Sequence, residues 1–171
     1  LIESAEQNLY ELADTGEYEG GFRPFKDAVI TAIQMAETAH SREGGLAGVS
    51  TGFSDLDKLL GGFHASDLVI LAGRPSMGKT ALATNIAYNA AYNYQYTKGR
   101  EGAVVGFFSL EMSSEQLASR ILSEQSNISS HRMRKGELSN EEFNRLAAAS
   151  QTLHQIPIFI DDTPALTVSA L

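Results

Sequence analysis

Apolar residues fall at helical spacing in two stretches near the start of the chain, then as short unbroken runs between longer helical patterns. Over residues 1–13, Ile2, Ala5, Leu9 and Leu12 share one face, which predicts a short helix. A polar, glycine-containing stretch follows from Asp14 to Gly21. Pro24 then opens a second helix to about Ser41. Its apolar positions Phe25, Val29, Ala32, Ile33, Ala36 and Ala39 make an amphipathic stripe. A glycine-rich link, Gly44 to Gly52, ends this region. Residues 1–45 therefore read as a helical linker segment with no core of its own. Its stripe either packs back on the rest of the chain or docks on another subunit.

Residues 46–171 follow a different logic. Ser54 caps a short helix through Leu60, with Asp57 completing a capping-box-like pair and Gly61-Gly62 ending it. Leu68 to Ala72 is a short apolar run bounded by turn residues, the signature of a buried strand. Lys79 to about Asn93 is an alanine-rich helix, and Ala103 to Leu110 a second strand. Ser113 caps a helix to about Ser126, with Gln116 in the reciprocal position. Ser139 and Glu142 repeat that arrangement for a helix to about His154. Ile156 to Ile160 is a third strand, with Pro157 near its beginning. This alternation predicts an α/β fold with a mostly parallel sheet and crossover helices.

Composition sets the outer limits. A chain of 171 residues, 43% hydrophobic, can build one cored domain with an attached segment. The Leu68 to Ala72 run is far too short to cross a membrane, so no membrane role is expected. The first residues lack the basic and apolar regions of a secretory signal, and no initiator methionine is present. The chain is thus expected to begin inside a longer product. The absence of cysteine excludes disulfides and thiolate metal sites and fits a cytoplasmic protein. A formal net charge of −8 argues against a broad nucleic-acid-binding face within these residues. The cluster His131, Arg132, Arg134 and Lys135 reads as a solvated face. The histidines at 40, 64, 131 and 154 show no metal-ligand spacing.

One stretch carries specific chemistry. Gly73-Arg74-Pro75-Ser76-Met77-Gly78-Lys79-Thr80 fits the phosphate-loop pattern G-x-x-x-x-G-K-S/T, with a predicted strand before it and a helix after it. Such a loop wraps a polyphosphate so that successive backbone N–H groups point inward, and glycines permit the turn and the close approach. The helix start adds free N–H groups and a partial positive charge. Lys79 is expected at the β- and γ-phosphates, and the Thr80 hydroxyl at Mg²⁺. The candidate nucleotide-binding residues are Gly73 through Thr80 together with Ala81, for ATP with magnesium as cofactors.

Two carboxylates could complete the site. Asp161 follows the run Ile158-Phe159-Ile160 and is the expected second magnesium holder, usually through water. Asp162-Thr163-Pro164 then reads as a turn. Glu111 lies just past the second predicted strand. On residues alone it either polarises an attacking water or is a solvated surface carboxylate.

At these positions the chain resembles the RecA-like motor domain of DnaB-family replicative DNA helicases. The resemblance rests on Ser50-Thr51-Gly52-Phe53-Ser54-Asp55-Leu56-Asp57 with Gly61-Gly62-Phe63, on the particular loop at 73–80, and on Phe108-Ser109-Leu110-Glu111-Met112-Ser113 with Leu117 and Arg120 behind it. Ile160-Asp161-Asp162-Thr163-Pro164 agrees as well, and the similarity runs over nearly the whole chain. It implies a homo-hexameric ring that hydrolyses ATP to translocate on single-stranded DNA and unwind duplex, receiving a primase and a helicase loader. It also implies that Glu111 is the catalytic carboxylate, beside Lys79. The helix from Pro24 to Ser41 corresponds to the linker helix that docks on an adjacent protomer.

The same resemblance places the later strands, the sensor residue, the DNA-binding loops and the arginine finger beyond Leu171. The chain is therefore expected to be a fragment. Two other readings stand beside the helicase motor: a RecA-like ATPase of another kind, and an inert nucleotide-binding and oligomerisation module.

Overall fold

The computed structural model describes residue 22, residues 24–41 and residues 46–164. The helix expected over residues 1–13 lies outside them. The chain divides into two compact units, Leu1–Glu43 and Gly44–Leu171.

In the first unit, helix α1 spans Phe25–Ser41. Pro24 precedes it, and Asp27 places negative charge in its first turn, where the helix dipole favours it. Phe25, Val29 and Ile33 of the apolar stripe are exposed.

The second unit opens with a knot of polar groups. Val49 and Phe63 form an antiparallel bridge, each donating its N–H to the other's carbonyl at 2.8 Å. Between them lies helix α2, Ser54–Leu60, closed by Gly61 in the left-handed conformation. The expected capping pair does not form: Phe53 occupies the cap position and no side chain caps the helix. Asp57 is instead buried and turned toward the preceding loop. Its Oδ1 accepts the Thr51 N–H and hydroxyl, each at 2.7 Å, and its Oδ2 accepts the Ser50 hydroxyl at 2.7 Å. Thr51 is fully buried, so its donors have no water to turn to, and satisfying them outweighs an exposed cap.

Burial raises the Asp57 pKa, but hydrogen bonds from Ser50 and Thr51 outweigh it and hold the carboxyl below its ordinary value. A carboxyl depressed on folding stabilises the fold above its unfolded pKa and loses that contribution as pH falls through the folded value. Asp57→Ala strands the Thr51 donors and should cost about 1–3 kcal/mol per group left unmade. Thermal unfolding across pH checks this: the variant should melt several degrees lower at neutral pH, with the gap narrowing on acidification. An unchanged melting temperature would show that this network contributes nothing.

Helix α3, Lys79–Tyr96, runs a turn beyond its expected end and buries Thr84, Ala87, Tyr88, Ala90 and Ala91. The Asn89 side chain donates to the Thr51 carbonyl at 3.0 Å, tying the polar knot to this helix. Strand β1, Val105–Phe108, follows. Then come helix α4 (Ser114–Ser126), helix α5 (Ser130–Lys135), helix α6 (Asn140–Leu153) and strand β2 (Ile158–Asp161). The strands pair in parallel, Val105 opposite Ile158 and Phe108 opposite Asp161. Leu117 and Ile121 of α4 join the alanines of α3 in the core, with Ile128 beside them.

Both expected capping boxes form, Ser113 with Gln116 on α4 and Ser139 with Glu142 on α6. Helix α5 carries the basic cluster, and two of its cations are engaged. Arg132 forks the Glu142 carboxylate, its Nη1 on Oε1 and its Nη2 on Oε2, and Lys135 lies 3.7 Å from Glu137.

One expected strand is absent. Leu68 to Ala72 has no ladder partner among the described residues, where the sheet consists of β1 and β2 alone. Leu68, Val69, Ile70 and Leu71 are exposed. An apolar run becomes a strand only when neighbouring strands satisfy its N–H and C=O groups, and among the described residues none pairs with this one.

Candidate nucleotide-binding site

The phosphate-loop residues form one continuous turn into α3. The Met77 N–H donates to the Arg74 carbonyl at 3.3 Å. Ser76 and Gly78 both adopt positive φ, 64° and 85°. A Cβ on Gly78 would meet nothing within 4 Å, so crowding within the chain does not demand glycine there. Its left-handed backbone does, and the space beside it is left open. A Cβ on Gly73 would stand 3.5 Å from the Lys79 Cγ, so the lysine stem crosses directly over this glycine. Arg74, Pro75, Ser76 and Met77 are exposed along the turn, while Thr80 and Ala81 are half-buried.

The start of α3 differs from those of α4 and α6. Gly78 is its cap residue, and no side chain accepts a hydrogen bond there. The first bond into the helix comes from the Leu82 N–H to the Gly78 carbonyl at 2.9 Å. The N–H groups of Gly78, Lys79, Thr80 and Ala81 have no partner among the described residues. Helix starts are normally satisfied by a cap, as three others among the described residues are. Four adjacent donors left open, with a lysine and a threonine at the same point, suit a polyphosphate.

The carboxylates sit at the carboxyl ends of β1 and β2. Glu111 is exposed in the turn between β1 and α4, and its side chain makes no hydrogen bond or ion pair among the described residues. The turn itself is fastened. Ser109 is buried; its hydroxyl donates to the Met112 carbonyl at 2.6 Å and accepts the Met112 N–H at 3.1 Å. The Ser109 N–H donates to the Asp161 carbonyl at 2.8 Å. Asp161 closes β2, and its Oδ1 accepts the Thr163 N–H at 2.9 Å. Bonds from Thr163 hold the Asp161 carboxyl below its usual value. The Asp162 Oδ2 accepts the Ser114 N–H at 2.7 Å, and bonds from Ser114 hold its carboxyl low as well.

The strand register thus brings the Glu111 turn to Asp161 and Asp162. No ladder links the phosphate loop to that pair, because the segment before the loop is unpaired among the described residues; α3 makes the connection, packing on both strands. Sequence reasoning missed Ser109 and the bond made by Asp162. The Ser109 clasp on Met112 spans only three positions and was open to a local reading, whereas the Asp162 bond spans 48 and no short-range pattern marks it.

Among the described residues no cluster of three or more His, Asp or Glu side chains could cage a metal. The two candidate donors, the Thr80 hydroxyl and the Asp161 carboxylate, are oxygens of the kind that suit magnesium, which is commonly held by one or two protein oxygens and the substrate's own phosphates. No helix among the described residues is long and apolar enough to cross a membrane.

Residues 48–171 match the family model described as the DnaB-like helicase C terminal domain. The chain is 47% identical over 173 residues to the replicative DNA helicase DnaB of Rickettsia conorii, covering 99% of this chain and 35% of that protein. It therefore spans about a third of the length of this curated relative. It is also 40% identical over 169 residues to the replicative DNA helicase DnaB of Geobacillus stearothermophilus, covering 99% of this chain and 36% of that protein. Among solved structures, a DnaB-like replicative helicase, from a structure that also concerns its interactions with primase, superposes with a TM-score of 0.69 at 26% identity, covering 99% of this chain and 38% of that one. A separately solved ATPase domain superposes with a TM-score of 0.75 at 27% identity, covering 88% of this chain and 50% of that one.

Proposed function

We propose, from the premise that this chain belongs to the DnaB-like helicase C-terminal domain family, that it forms part of an ATP-driven replicative DNA helicase motor. The observation that carries this reading is the open row of N–H donors from Gly78 to Ala81, with Lys79 at its head. Such a row binds the β- and γ-phosphates, and Lys79 adds a point charge there. Glu111 accepts a proton from the attacking water. Thr80 and Asp161 hold magnesium, which when bound with ATP neutralises charge on the phosphate oxygens.

The work of the cycle is translocation on single-stranded DNA and duplex unwinding by a homo-hexamer, in the cytoplasm. A helicase loader and a primase are its partners, and the likeness to a DnaB-like helicase whose structure concerns primase supports the latter.

The test uses the full-length protein in its native assembly. ATP hydrolysis stimulated by single-stranded DNA, with strand separation on a forked duplex, is expected. Hydrolysis indifferent to DNA would point to another RecA-like ATPase, and nucleotide binding without turnover to an inert module. For the metal, Asp161→Asn should raise the magnesium concentration needed for half-maximal turnover, and Asp162→Asn should not. The reverse order would move the metal from Asp161 to Asp162.

A further inference from the structure

We infer that Asp162 is a positioning residue for Glu111, holding the turn that carries the proposed catalytic carboxylate against the end of β2. The inference rests on the reading of Glu111 given above. Glu111 has no side-chain partner among the described residues, so only the path of its backbone places it. That path is fastened at two points. Before Glu111, Ser109 is bound to the Asp161 carbonyl and clasps Met112. After it, the Ser114 N–H is held by the Asp162 carboxylate across 48 positions of sequence. Both fastenings end on adjacent residues of one strand terminus.

The second fastening is not a routine cap. The capping box of α4 occupies the N–H groups of Ser113 and Gln116. The Ser114 N–H lies outside that exchange, and the Asp162 carboxylate takes it. A negative charge at this helix start is also favoured by the helix dipole. The consequence is a fixed spacing between the strand end and the turn. A displacement of a reacting group by about 1 Å can cost ~10² in rate, so loosening this tie should act on turnover rather than on binding.

Three variants of the full-length protein in its native assembly test this. Asp162→Ala removes the acceptor. Asp162→Asn keeps an oxygen there. Ser114→Pro removes the donor at the first position of α4, where proline is tolerated and where Ser113 is already extended, at φ −71° and ψ 159°. Asp162→Ala and Ser114→Pro should each lower kcat by ~10–10², with nucleotide affinity and magnesium requirement unchanged and the melting temperature only slightly lowered by the lost bond. Asp162→Asn should recover most of the rate. In a Glu111→Gln background neither variant should lower the rate further, because both act through the group already removed.

Losses that multiply with Glu111→Gln, a raised magnesium requirement, or no rescue by Asp162→Asn would each overturn the inference. If Asp162→Ala does not fold, the Ser114→Pro and Asp162→Asn pair decides. Normal turnover in Glu111→Gln alone defeats the reading of Glu111, whereas a dead Glu111→Gln beside fully active Asp162→Ala and Ser114→Pro defeats only the positioning role.

Discussion

Replacing Glu111 with glutamine is expected to leave ATP binding intact and to slow hydrolysis by ~10²–10⁴. That is about 2.7–5.4 kcal/mol of lost transition-state stabilisation. The substitution is nearly isosteric, and Glu111 is exposed and without a partner among the described residues. Removing its charge therefore disturbs no packing and breaks no network. What is lost is the capacity to take a proton from water. The turn itself should stay in place, because Ser109 and Asp162 hold it through other atoms. Equilibrium nucleotide binding together with single-turnover hydrolysis in the full-length protein measures the two effects separately. Parallel losses of binding and turnover would mean a structural role. Unchanged turnover would make Glu111 a surface carboxylate and remove the chemical step from this turn.

How much of this was legible beforehand follows from the range of each interaction. The capping boxes at Ser113 and Ser139 are closed within four residues, so sequence alone reveals them, and both form. The phosphate loop is equally local, and its open helix start follows from glycine standing where α4 and α6 carry serine. Local reading fails where a distant group competes. Asp57 had a capping pattern, but a buried threonine with two donors claimed its carboxylate instead. Leu68 to Ala72 had the composition of a strand, yet a strand also needs neighbours, and composition cannot supply them. Helix α5 is too short for apolar periodicity to show, and Ser129 and Gly136 alone mark its ends. The bond between Asp162 and Ser114 spans 48 positions and depends on the register of β1 against β2. The adjacent pair Asp161-Asp162 was visible, but the different work of each was not.

Replacing Lys79 with alanine should abolish measurable ATP hydrolysis and weaken nucleotide binding by about tenfold or more. A charge-assisted contact to phosphate contributes about 1.5–3 kcal/mol, and each 1.4 kcal/mol is a factor of about ten. The free protein should be unharmed. Lys79 is the exposed first residue of α3, alanine is a good helix former, and the lysine stem crosses over Gly73. The row of N–H donors from Gly78 to Ala81 is backbone and survives the change, so some affinity should remain. This separates the variant from one that has lost its fold. Melting temperature without nucleotide should match the parent. The upward shift that saturating ATP gives the parent should shrink, since stabilisation by a ligand grows with the logarithm of its concentration over Kd. A tenfold weaker Kd removes about 1.4 kcal/mol of it, so the ATP-induced shift should be visibly smaller than the parent's. Thermal shift and steady-state hydrolysis, measured on the same full-length preparation, settle the matter together. Hydrolysis within about twofold of the parent would sink the assignment of Gly73 to Ala81 as the working site, because the lysine is the point charge that such a loop sets at the β- and γ-phosphates.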